Sequence, residues 1–143
     1  MERYKSKIAV NLILTKENQI LLARRFQTGW QDGNYGLPSG HLETDETLIE
    51  ALLRETKEEI GINLDQKDVK FIHVSHSKFS NYTHFFFTAS KWTGEPSNQE
   101  PNKCDDVKWF PTENLPKNII PLIKEAIIQY QKGSFFSECQ QEE

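Results

Sequence analysis

Cysteine is scarce: the 143 residues contain two, Cys104 and Cys139. They form no Cys-x-x-Cys pair and no disulfide framework, which predicts a reducing, cytoplasmic setting. No apolar run approaches the roughly 18 residues that a membrane span needs. The first five residues lead into an alternating segment without the apolar stretch of a secretory signal. An excess of positive charge is also missing. Seventeen Lys and Arg stand against 21 Asp and Glu, a net charge of −4. That balance argues against stable nucleic-acid or membrane binding by bulk charge, and it leaves room for a small nucleotide ligand. His41, His76 and His84 show no zinc spacing. There is no internal repeat and no low-complexity tract. What is there is an ordinary globular mixture, 36% hydrophobic and 27% charged, long enough for one domain with its own core.

Residues 7–15 (KIAVNLILT) predict a strand, 16–19 a turn, and 20–25 the returning strand of a hairpin. A polar loop over 27–33 carries Trp30, and 35–38 is a short extended piece ending at Ser39-Gly40. Residues 47–60 have a helical period, with Leu48, Ile49, Leu52, Leu53, Thr56 and Ile60 on one broad face. Thr47 and Glu50 are spaced as a capping box, and Gly61 suits the left-handed position past the last turn. Two strands follow, 69–78 and 84–92, around a turn at 80–83; Phe85-Phe86-Phe87 breaks alternation, as in a strand covered on both faces. Residues 91–103 form a long loop and 106–110 a strand closed by Pro111. Asn118 is placed to cap a second helix over 119–131 that Gly133 ends. Residues 1–133 make the domain, and 134–143 read as a frayed tail on which Phe135 and Phe136 can pack back. The order of elements predicts an α+β or α/β sandwich.

The chemistry concentrates in residues 40–62 (GHLETDETLIEALLRETKEEIGI). Glu55, Glu58 and Glu59 stand at i, i+3 and i+4, one stripe of the helix. The stripe runs beside the apolar face, with Glu59 nearest its edge and Glu58 furthest, so it belongs at the rim of a cleft. Three like charges on neighbouring turns repel, and a bound divalent cation reverses that cost; an all-carboxylate set suits hard ions such as Mg²⁺ or Mn²⁺. An isolated E-x-x-E-E is usually a solvated face, with Glu55 and Glu58 paired to Arg54 and Lys57. Here Gly40 stands six residues before Glu46, Glu46 eight before Arg54, and Gly61 two past Glu59.

On those residues the sequence resembles the Nudix hydrolase family. Its signature is G, five residues, E, seven residues, then R-E-U-x-E-E-x-G-U, U being a bulky aliphatic. Gly40, Glu46, Arg54, Glu55, Glu58, Glu59 and Gly61 match, and Thr56 departs at the first U position. The Leu37-Pro38-Ser39-Gly40 approach, where Ser39 departs from glycine, and residues 107–111 extend the resemblance over most of the chain. It implies an α/β fold, the Nudix α/β/α sandwich around a mixed sheet. It also implies Mg²⁺- or Mn²⁺-assisted hydrolysis of a nucleoside diphosphate linked to another group. By match to the motif, Glu58 and Glu59 are the principal metal ligands, Glu55 a further ligand or the base, and the Gly40 carbonyl a further donor. Arg54 holds the carboxylates by ion pairing, and Glu46 supports the loop–helix junction. The general base is Glu55, Glu59 or the later-loop Glu100, with Asp105 and Asp106 weaker candidates. Adjacent strand residues face opposite sides, so at most one of Arg24 and Arg25 should enter the cleft; the resemblance favours Arg25 for substrate contact. Trp30, in its polar loop, is a candidate to stack on a base. The expected substrate is a nucleoside or deoxynucleoside triphosphate; the alternatives are a nucleotide sugar or dinucleotide, a non-catalytic nucleotide sensor, or an isomerase using Cys104. Monomer and homodimer both remain open.

Overall fold

The computed structural model describes residues 1–139. Its strands are β1 (Lys7–Lys16), β2 (Gln19–Arg25), β3 (Tyr35–Gly36), β4 (Ser39–His41), β5 (Lys70–Ser77), β6 (Tyr82–Ala89), β7 (Cys104–Pro111) and β8 (Phe136–Cys139). Two α-helices, α1 (Leu48–Ile60) and α2 (Pro121–Gln131), and a single 3₁₀ turn over Gln66–Asp68 complete the described elements.

Glu17 and Asn18 both take positive φ, the two-residue turn that matches the twist of a hairpin. The hairpin then opens. β1 and β2 pair only at Thr15↔Ile20 and Lys16↔Gln19. Past that point β2 runs antiparallel between β3 and β7. β1 meanwhile takes β4 on one side, antiparallel, and β6 on the other, parallel. β5 continues the mixed sheet antiparallel to β6. The divergence of β2 from β1 leaves a gap between two halves of the sheet, and the site lies there.

β1 is buried on both faces because each face meets a helix. Val10, Leu12 and Leu14 join Ala51, Leu52 and Ile60 of α1, whereas Ile13 joins Ile123, Ala126 and Ile127 of α2. The result is an α/β/α sandwich. The Phe85–Phe87 run behaves as expected, with Phe86 in the core under α2 and Phe87 in the core under α1. α1 is built as its local sequence dictates: both hydrogen bonds of the Thr47–Glu50 capping box form, and Gly61 closes the helix at φ 72°. Thr56 is buried, and its hydroxyl is satisfied by donating to the Leu52 carbonyl at 2.9 Å.

Two expectations are corrected. Asn118 does not cap α2, which starts at Pro121 without a side-chain cap. The segment before it is held extended against β3: Tyr35 N–H donates to Asn118 O at 2.7 Å, and Ile120 N–H to Tyr35 O at 2.9 Å. The Asn118 amide instead donates to the Gly33 carbonyl at 2.9 Å. The tail beyond residue 133 is not frayed through Cys139, because Phe136–Cys139 pairs parallel with β5. Its anchor is His73 rather than an aromatic fold-back: the buried ring contacts Ser134 O at 2.9 Å and Ser137 Oγ at 2.8 Å, while Phe135 and Phe136 stay exposed. Residues 140–143 of that tail lie outside the described residues.

Candidate active site

The site forms where α1 crosses β4. Ser39 N–H donates to Glu59 Oε2 at 3.1 Å. One turn earlier, Glu55 lies against Gly40 so closely that a Cβ there would stand 1.9 Å from Glu55 Cδ. Glycine is required by this approach and not by its own dihedral angles.

The carboxylates differ in environment as the stripe geometry predicts. Burial pushes the Glu59 carboxyl up to about 8; the charges of Glu55 and Glu100 add to the rise, and the Ser39 N–H and Arg25 oppose it. Glu55 is also raised, by burial first, against the pull of its Arg54 hydrogen bond. Glu58 is on the outer flank, its side chain 53% exposed, with Arg54 Nη1 3.4 Å away.

Arg54 organises the flank. Its Nε and Nη2 grip the two Glu46 oxygens at 2.9 and 2.7 Å, a bidentate fork. Its Nη1 holds Glu55 at 2.8 Å, and its Nη2 also donates to the His41 carbonyl at 3.1 Å. One guanidinium therefore ties the loop before α1, strand β4 and the carboxylate stripe together. Arg54, helped by the Glu43 N–H, holds the Glu46 carboxyl down at about 2. A carboxyl whose folded value is depressed adds stability above its ordinary value of 4.5, and that stability is lost as pH falls through about 2. Glu46→Gln should thus lower Tm at pH 6, and the difference from the parent should shrink below pH about 4.5 and close near pH 2. A Tm gap that stays constant over this range would assign the loss to something other than the charged pair.

Glu100 reaches the same cleft by a route the sequence does not display. The last turn of α1 leaves carbonyls without helical partners. Gln99 N–H caps Glu59 O at 3.0 Å, and Ser97 N–H caps Ile60 O at 2.9 Å. The loop is then folded on itself, with the Lys103 and Cys104 N–H groups both donating to Glu100 O. Glu100 and Glu59 border one cleft of about 400 Å³.

Both arginines border that cleft, but their side chains engage different groups. The partner strand β7 bulges opposite them: Arg24 pairs with Asp106 and Arg25 with Cys104, and Asp105 is the extra residue. The extra residue is on β7, so the alternation of β2 itself is kept. The partners of the two arginines differ accordingly. Arg24 is bound to Asp105 at 2.7 Å and lies over the Tyr35 ring. Arg25 lies over the Trp30 ring at 4.9 Å and donates from Nε to the Trp30 carbonyl at 2.7 Å; its charge is the one felt by Glu59. Trp30, 43% exposed, also borders the cleft. Asp105 is engaged with Arg24, and Asp106 accepts from the Tyr35 hydroxyl. Both carboxylates are thus already engaged by neighbouring side chains.

Cys104 borders the cleft as a half-buried thiol whose value burial pushes up, the reverse of what a reactive cysteine needs. Asn11 and Tyr82, which sequence reasoning passed over, line the cleft, and so do His41 and His84, which show no zinc spacing and which sequence reasoning treats as ordinary unless found there. Asn11 was visible as the polar interruption of an apolar run.

The profile described as NUDIX domain matches residues 5–130. An 8-oxo-dGTP diphosphatase of Proteus vulgaris is 34% identical over 95 residues, 66% of this chain and 85% of that protein. Phosphatase NudJ of Shigella boydii serotype 4 is 29% identical over 135 residues, 91% of this chain and 86% of the relative. Among solved structures, a MutT NUDIX hydrolase from Burkholderia pseudomallei superimposes with a TM-score of 0.81 at 24% identity, covering 87% of this chain and 98% of its own.

Proposed function

The chain belongs to the Nudix hydrolase family, and on that premise we propose that it is a divalent-cation-dependent pyrophosphohydrolase of nucleoside or deoxynucleoside triphosphates. The observation that carries this is the single cleft bordered by Glu59, Glu100 and Arg25, with Glu55 at Gly40 on its rim. The relative named 8-oxo-dGTP diphosphatase supports the substrate class. Residues 1–133 hold the domain, with β8 added at the sheet edge. The scarcity of cysteine supports a cytoplasmic location.

Among the described residues no three acidic, His or Cys side chains are gathered at metal-binding distance. The donors nonetheless fit a hard cation. Glu55 and Glu59 are carboxylates whose burial is poorly offset by positive charge, and the Gly40 backbone lies against Glu55. Glu55, Glu58, Glu59 and the Gly40 carbonyl would hold Mg²⁺ or Mn²⁺. Such an ion would supply charge neutralisation of the pyrophosphate and a more acidic water.

The chain's own residues supply the rest. Arg25, fixed by Trp30, binds the substrate phosphate. Glu100 accepts the proton of the attacking water, whose oxygen bonds to phosphorus as one P–O–P bond breaks. Arg54 and Glu46 hold Glu55 in place. The test is a panel of triphosphates, nucleotide sugars and dinucleotides with Mg²⁺ or Mn²⁺, products resolved by mass. Triphosphates should be cleaved fastest, and excess chelator should stop the reaction. Turnover undiminished by chelator would overturn the metal assignment, and cleavage confined to the other two classes would overturn the substrate assignment.

A further inference from the structure

Across three strands the register sets His41 of β4, Ala9 of β1 and His84 of β6 in one row, and Ser39, Asn11 and Phe86 in the next. Tyr82, two residues before His84 on the same strand, stacks on the His84 ring with centroids 5.4 Å apart and planes at 28°. Its hydroxyl meets His41 Nε2 at 2.7 Å. These rings stand around Ala9, whose methyl group leaves space above the sheet. Leu122 and Ile123 of α2 border the same cleft, so the rings face an apolar wall. At the inner end is Asn11, 2% exposed, whose amide nitrogen reaches the Phe85 carbonyl only at 3.5 Å, the outer limit of a hydrogen bond.

A buried amide with one long hydrogen bond costs stability, and an apolar residue would fill a strand interior better. An amide offers a donor and an acceptor side by side, the complement of a nucleobase edge, and stacked rings grip the faces of a planar ring. Asn11 pairs in register with Ser39, whose N–H is bound to Glu59. The amide is therefore one strand away from the carboxylate end of the cleft.

We infer that Asn11, with the Tyr82–His84 stack, is the specificity-determining subsite that reads the edge of a planar nitrogen heterocycle in the substrate. The inference rests on the nucleotide reading above for the placement of phosphate beside Glu59 and Arg25. The heterocycle slides between the rings and the α2 wall, and the Asn11 amide turns from Phe85 to its edge. A ligand lacking the ring leaves the amide as it is and gains nothing from the slot.

The test compares binding of the four common nucleoside monophosphates with ribose 5-phosphate, by calorimetry on the full chain. At least one monophosphate should bind about tenfold or more tightly than ribose 5-phosphate. Asn11→Leu should bring that ratio to within about threefold while the ribose 5-phosphate affinity stays unchanged, and Tyr82→Leu should reduce it as well. Asn11→Ser replaces Asn11→Leu if the latter does not melt cooperatively. The inference is overturned if the parent shows no preference for the ring. It is equally overturned if the Asn11 variants keep the preference, or if they weaken both ligands alike, which marks a structural role. Failure of the triphosphate reading would show separately, as no cleavage in the substrate panel, because this measurement needs no turnover.

Discussion

Glu59→Gln should lower kcat by at least about two orders of magnitude, roughly 2.7 kcal/mol of lost transition-state stabilisation. The amide keeps the size of the side chain and can still accept from the Ser39 N–H, so the fold should survive. What disappears is the negative charge, and a neutral amide is a poor ligand for a hard dication. Without metal the effect on stability should have the opposite sign. Glu59 titrates near 8 in the folded chain and near 4.5 when unperturbed. Its folded value is raised, so between those limits the folded state keeps a proton that the unfolded chain releases, and stability falls as pH rises. Glutamine does not titrate. Metal-free Glu59→Gln should therefore match the parent near pH 4 and exceed it increasingly up to about pH 8, by on the order of a few kcal/mol. Glu100→Gln gives the contrast. A base acts on water and not on the ion, so this variant should lose kcat yet keep its metal affinity in the same titration. Normal turnover and normal metal binding in Glu59→Gln would return the carboxylate stripe to an ordinary acidic face.

Gly40→Ala should cost about 10- to 100-fold in kcat with a Tm change of no more than a few degrees. Gly40 is not in the left-handed region, so alanine strains no backbone. The obstruction is the Glu55 side chain, with Cδ at 1.9 Å and Cγ at 2.3 Å from the new Cβ. The colliding atoms are the far end of a flexible side chain, which has to shift and give up its 2.8 Å hydrogen bond from Arg54. Its carboxylate would leave the position against β4, and misplacing a reactive group by about 1 Å can cost 10²-fold in rate. A double-mutant cycle isolates the cause. Once Glu55→Ala is present, adding Gly40→Ala should cost nothing further, because the colliding atoms are gone. Full additivity of the two losses would show that Gly40 acts through its own carbonyl or through β4 rather than through Glu55.

The local sequence determined α1 completely enough to place its chemistry. A capping box, a 3.6-residue apolar period and Gly61 all act within four residues of chain, and each formed as the residues dictate. The ordering of the carboxylates followed from helical angles alone: Glu59 on the inner side, Glu58 on the outer flank. The hairpin, the long strands and the burial of Phe86 and Phe87 on opposite faces were legible for the same reason, since side-chain alternation and turn chemistry are short-range. Everything that depends on hydrogen bonds between distant segments was decided by the tertiary structure. The start of α2 moved because residues near 119 bridge to Tyr35, and β8 exists because His73 clamps residues 134 and 137. Arg24 has Asp105 as its partner where β7 bulges against β2. Glu100 arrives because its loop caps the open end of α1, and Asn11 faces the cleft because β2 diverges from β1. The sequence lines up the candidate carboxylates, because helix periodicity is a property of neighbouring residues. Which loop, strand face and bulge stand opposite them is a matter of long-range pairing, and no local pattern encodes it.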